Sequence, residues 1–218
     1  MLSVGRGVDA AYCWRVQAEV MSREFYVKLT PLERRIADHV GKARHAECAK
    51  YVESNPNRRQ FIPDLEAKKD GVACELAFCK MFNVYPDLST AWRSGGYDCM
   101  FRGLRIDIKG SRRKGSALLL VPATKKRGES DVFVLMIGEG DEFRFGGWLW
   151  EHEVMRPENT SEAQRFDVTF KLRGNPWAIH EKRLRKSWEE LGVLWKATEA
   201  WAQDAVVYDL AEYRENRK

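Results

Sequence analysis

Residues 96–115 read GYDCMFRGLRIDIKGSRRKG, and within them the period of the chain changes. In LRIDIK, residues 104–109, apolar Leu104, Ile106 and Ile108 alternate with charged Arg105, Asp107 and Lys109, the pattern of a half-buried strand. A second short run, 96–101, precedes it, and Arg102-Gly103 between the two reads as a tight hairpin turn. With that turn Phe101 faces Leu104, Cys99 faces Ile106, and Asp98 lies opposite Asp107. A four-residue loop centred on the same bond keeps this register, whereas a three- or five-residue loop destroys it.

Cross-strand neighbours have Cβ atoms roughly 4.5–5.5 Å apart, and like charges placed there repel. Two ionised carboxylates at that distance require a cation, a shared proton or full solvation. A hard divalent ion with oxygen ligands, Mg²⁺ or Mn²⁺, answers the first requirement. Lys109 points to the same side as Asp107, and Gly96 opposite it leaves room. The competing reading is an ordinary solvated hairpin face on which Arg105 and Lys109 offset the two acids.

A helical stretch from about Asp64 to Phe82 bears on this choice. Val72, Leu76, Cys79 and Phe82 fall along one stripe at helical spacing, and Glu75 sits within that stripe. A carboxylate on a core-facing stripe is costly unless paired or bound to metal. Glu75 is therefore either a boundary acid that reaches solvent or a Lys, or the third acid of a site shared with Asp98 and Asp107.

Outward from this centre the pattern predicts helix over residues 9–28, and a second helix over 31–53 opened by the capping signature TPLE. Further strands are expected at 116–122, 131–137 and 142–150, the last two joined by a GEGD turn, with a short strand at 177–180 and an amphipathic helix over 187–214. We read helices, a mainly antiparallel sheet and a final helix: a helical N-terminal extension, 1–62, followed by one mixed α/β (α+β) domain, 63–218.

The 218 residues are 44% hydrophobic, enough for a sizeable core, and the net charge of +5 mildly favours a polyanionic partner. The five cysteines are odd in number and form no C-x-x-C pair, so free thiols in a reducing compartment are expected rather than a disulfide framework or zinc knuckle. The N-terminal stretch lacks the pattern of an export signal, and no apolar run of about 18 residues is present. A cytoplasmic protein that does not enter the membrane is the expectation. Phosphate-cradling glycine loops, paired metal-ligating histidines and nucleophile elbows are absent from the sequence.

Glu75, Asp98 and the run Asp107-Ile108-Lys109, in that order, make the chain resemble the PD-(D/E)XK superfamily, the restriction-endonuclease-like nucleases. The resemblance covers about residues 70–155: GVACELAFCKMF is similar to the first core helix with its acid, GGYDCMFRGLRIDIKGS to the catalytic hairpin, and DVFVLMIGEGDEFRFGGWLW to the closing strands. Tyr97 stands before Asp98 where the family motif has Pro. The resemblance implies a central mixed sheet flanked by helices and Mg²⁺-dependent (or Mn²⁺-dependent) hydrolysis of nucleic-acid phosphodiesters. It makes Asp98 and Asp107 metal ligands, with Glu75 a further ligand, directly or through water, and the Ile108 carbonyl completing the shell. Lys109 would orient the attacking water and stabilise charge gathering on phosphorus.

Two basic clusters bracket the third strand, Ser111, Arg112, Arg113 and Lys114 before it and Lys125, Lys126 and Arg127 after it, placed to grip phosphates beside the site. DNA is the expected partner, with an RNA- or junction-specific nuclease and a non-catalytic nucleic-acid-binding protein of the same fold as alternatives. Trp188, Trp195 and Trp201 of the last helix are read as core or as a homodimer contact.

Overall fold

The computed structural model describes residues 26–54, 64–91, 96–113, 115–163 and 174–187. Residues 188–214 of the expected last helix, with its tryptophans, and Lys114 lie outside the described residues.

Chain order runs β1 (Tyr26–Lys28), α1 (Pro31–Ser54), α2 (Leu65–Phe82), β2 (Cys99–Phe101), β3 (Leu104–Ser111), β4 (Leu118–Val121), β5 (Val132–Glu139), β6 (Glu142–Trp150), α3 (Glu151–Val154) and β7 (Trp177–His180). The class is mixed α/β. At the start of α1 the TPLE signature closes as a capping box: the Glu33 N–H donates to Thr30 Oγ1 at 3.2 Å, and the Thr30 N–H donates to Glu33 Oε2 at 2.6 Å. Helix α2 ends at Asn83, whose φ of 52° is left-handed, with the Val84 N–H donating to the Cys79 carbonyl at 2.8 Å.

Five strands form one sheet in the order β1-β6-β5-β3-β2, and β4 pairs with β7 in a separate two-stranded sheet. Arg102 and Gly103 both have positive φ, 50° and 77°, as a two-residue primed turn demands, and β2 pairs with β3 through Cys99↔Ile106, Met100↔Arg105 and Phe101↔Leu104. This is the register read from the sequence.

One expectation changes. Residues 9–25 of the first expected helix lie outside the described residues, and Tyr26–Lys28, expected at its end, form instead an edge strand beside β6, whose unpaired backbone groups it satisfies. The sheet is mainly antiparallel and mixed, as expected: β4 leaves it to pair with β7, and β5 lies parallel to β3, from Ile106↔Val132 to Ser111↔Ile137. Both faces of β5 are buried, which fits its unbroken apolar run VFVLMI. Val132, Val134 and Met136 pack with Ile106 and Ile108 against α2, while Phe133, Leu135 and Ile137 pack against Leu119, Val121 and Ile179 of the small sheet.

The described part of the N-terminal range is joined to this core. Helix α1 approaches α2 so closely at Gly41 that a Cβ there would lie 2.7 Å from the Lys69 Cα. No helix among the described residues is long and apolar enough to cross a membrane. Cys48, Cys74, Cys79 and Cys99 are free and buried, in keeping with the thiol reading.

Candidate active site

Strand β3 presents Ile106 and Ile108 to α2, so the alternation of a strand turns Arg105, Asp107 and Lys109 to the other face. Asp107 is only 3% exposed. Its two carboxylate oxygens each meet an ammonium: Lys109 Nζ contacts Oδ1, and Lys125 Nζ lies 2.7 Å from Oδ2. A carboxylate this deep is stable only because the two cations replace the lost water.

Asp98 reaches the same place differently from a ladder residue. The paired ladder stops at Cys99↔Ile106, and beyond it the Asp98 N–H donates to the Ile106 carbonyl at 2.8 Å. The Asp98 carboxylate then accepts the Ile108 N–H at 2.7 Å, doing with its side chain what a backbone carbonyl would do in a longer strand. The two acids thus converge on either side of Ile108. Burial pushes the Lys109 ammonium toward its neutral form, but the charges of Asp107, Asp98 and Glu75 outweigh that and raise its pKa, so it stays charged.

The solvated-face reading of the hairpin fails on two counts. Asp107 is buried, and Arg105 turns to Asp131 instead, donating to its carboxylate from the backbone N–H (2.9 Å), Nε (3.0 Å) and Nη2 (2.7 Å).

Glu75, on α2, is near enough for its charge to act on Lys109 but is not grouped with Asp98 and Asp107; its side chain is 14% exposed and is held by Arg44 of α1, whose Nη1 donates to Oε1 at 3.0 Å and Oε2 at 2.8 Å. Arg44 also donates to the Asp87 carbonyl at 2.7 Å and the Ser89 carbonyl at 2.9 Å, fastening the segment after α2 beside the acids. Nothing in the sequence singled out Arg44, since a lone Arg in a helix full of charges carries no periodic signal.

Lys125 stands inside the site rather than on its rim. Its side chain is 7% exposed; besides Asp107 it donates to the Gly96 carbonyl and lies 3.7 Å from Glu129 Oε2. The other basic residues remain outside. Arg112 is tied to Asp70, Nε to Oδ2 at 2.5 Å, and Ser111 Oγ accepts the Arg113 N–H at 3.3 Å. These residues, with Gly110, Cys74 and Leu118, line a cleft of about 440 Å³ at the end of β3. Lys126 is exposed, and Arg127 donates to the Met155 carbonyl at 2.5 Å.

The chain has no match among family models, curated proteins or solved structures.

Whether a divalent ion fits can be judged from the donors. Asp98 and Asp107 offer hard carboxylate oxygens of the type Mg²⁺ and Mn²⁺ prefer, and a cation, the Lys125 ammonium, already sits among oxygens of Asp107, Gly96 and Glu129. Among the described residues no three His, Cys, Asp or Glu side chains are grouped to hold one ion. The fit is therefore to a pair of carboxylates, with backbone carbonyl and water left to complete the shell, and Glu75 is engaged by Arg44.

Proposed function

We propose that this chain is a metal-dependent nuclease that hydrolyses phosphodiester bonds of DNA by attack of an activated water. The observation that carries the reading is the burial of Asp107 between Lys109 and Lys125, with Asp98 hydrogen-bonded across Ile108. A fold gains little stability from a buried acid with two lysines, because desolvation of the three charges offsets most of their attraction. Such a cluster at the open end of a hairpin is better explained by chemistry.

In this reading Asp98, Asp107 and the Ile108 carbonyl hold Mg²⁺ or Mn²⁺, and Glu75 assists from α2. The bound ion supplies positive charge to the scissile phosphate and lowers the pKa of the attacking water. Lys109, kept charged by the acids around it, orients that water and stabilises negative charge gathering on the phosphoryl oxygens. Exposed Arg113 and Lys126 on the flanking loops bind backbone phosphates on either side.

The test is cleavage of supercoiled, linear, single-stranded and branched DNA, and of RNA, with Mg²⁺, Mn²⁺ or EDTA. Metal-dependent cleavage of DNA is expected, lost in Asp107→Ala and Lys109→Ala proteins of unchanged circular dichroism. Normal cleavage by Asp107→Ala, or no cleavage of any substrate by wild type, removes the reading. Cleavage confined to RNA or to junctions moves the substrate and keeps the chemistry.

A further inference from the structure

Lys125 has three oxygen neighbours and they are of two kinds. The Asp107 carboxylate, at 2.7 Å, is a donor any divalent ion in this site needs. The Glu129 carboxylate, at 3.7 Å, lies four residues along the same loop and is too long for a hydrogen bond, close enough for a small side-chain rotation to reach. The third neighbour, the Gly96 carbonyl, is two residues before Asp98. Lys125 therefore bridges β3, which carries Asp107, and the segment before β2, which carries Asp98, and it does so at 7% exposure, where its charge is poorly screened.

Resting on the nuclease reading for its metal site, we propose that Lys125 competes with the divalent cation for Asp107, and that Glu129 is the second partner to which the ammonium swings when the ion takes the carboxylate. An ammonium and a hard metal ion cannot both lie against the same buried carboxylate oxygen, because like charges at that distance repel strongly in a site of low dielectric. Lys109 occupies the other oxygen of Asp107, so Oδ2 is the one that has to be exchanged. Lys125 is thereby a positioning residue: it ties Asp107 to the segment before Asp98 without the metal and sets the concentration at which the metal enters.

The experiment is Mn²⁺ binding to the whole protein by electron paramagnetic resonance and calorimetry, without nucleic acid. Lys125→Gln is expected to bind Mn²⁺ about tenfold or more tightly than wild type, because a competing unit charge is gone. Glu129→Gln is expected to bind it more weakly, because the ammonium has lost its second partner. In the double variant Glu129→Gln is expected to change nothing relative to Lys125→Gln. Equal or weaker binding by Lys125→Gln overturns the proposal. So does an equal loss from Glu129→Gln in both backgrounds, since Glu129 then acts on the ion itself. Should Lys125→Gln fail to fold, unchanged Mn²⁺ affinity of Glu129→Gln alone overturns it. Either failure with cleavage intact leaves the nuclease reading in place, whereas tighter Mn²⁺ binding by a protein that cleaves nothing removes that reading and keeps the exchange.

Discussion

Arg44 of α1 grips both carboxylate oxygens of Glu75 on α2, at 3.0 and 2.8 Å, and both side chains are 14% exposed. One arginine thus joins the two helices and the segment carrying Asp87 and Ser89.

Arg44→Met strands Glu75 in a half-buried position and releases two carbonyls. Unfolding free energy is expected to fall by about 2–4 kcal/mol. In the double variant Arg44→Met/Glu75→Gln, part of the loss should return, because the uncompensated charge is gone. Urea denaturation of wild type, Arg44→Met, Glu75→Gln and the double variant measures this, and strict additivity would mean the pair is not coupled.

Lys109→Met addresses the chemistry. Under the proposed mechanism it removes the group that stabilises charge on the phosphate, so the rate constant for cleavage is expected to drop about 10²-fold or more. Mn²⁺ binding should persist, since the carboxylates remain. Single-turnover cleavage beside a Mn²⁺ titration separates the two effects, and loss of both together would place Lys109 in the structure of the site only.

Gly110 lies where β3 packs on α2, and a Cβ there would be 2.6 Å from Cys74 Sγ. Cys74 is 2% exposed and has little room to move. Gly110→Ala should cost about 1–3 kcal/mol through overpacking, and Cys74→Ala in the same chain should restore much of it. Thermal melts of the single and double variants decide; a Gly110→Ala protein as stable as wild type would place the strand farther from the helix.

Acid should loosen the small sheet first. Glu181 follows β7 and accepts from Arg144 Nη2 at 2.6 Å, while Glu153 accepts from Arg185 Nη2 at 2.7 Å. Burial alone would raise both carboxyl pKa values, but the hydrogen bonds and charges of their arginines outweigh it and hold them below the usual value. A carboxyl group with a lower pKa folded than unfolded stabilises the fold fully above its ordinary pKa, and that stability is lost as pH falls through the folded value. Melting temperature should therefore hold above about pH 5 and decline below it. Glu181→Gln should cost about 1–3 kcal/mol at pH 7 and flatten the acid limb. An acid limb as steep as wild type would show that other groups set it.

The acid hairpin and the two helices before it were legible because their signals are local. A Thr-Pro-x-Glu start, a Gly-containing two-residue turn and a period-2 run act over a few residues, and each has one favoured local solution. The approach of Asp98 to Asp107 follows from that register. Its final form does not, since Asp98 spends its carboxylate on the Ile108 N–H where β2 stops pairing.

What a residue meets across the fold was decided elsewhere. The alternation of residues 116–122 marks a strand without naming its partner, and only the packing of Leu119 and Val121 on Phe133, Leu135 and Ile137 sends β4 to β7 and leaves β5 parallel to β3. Lys125, read as part of a basic cluster that grips phosphates beside the site, became the second cation on Asp107, and Arg44, which no local pattern marks, became the partner of Glu75. By itself, then, the sequence determined most of the elements and the hairpin register, because backbone geometry and burial period are written within a few residues. Tertiary structure alone decided which cations neutralise those acids, because a long side chain pairs with whatever the folded chain brings within reach.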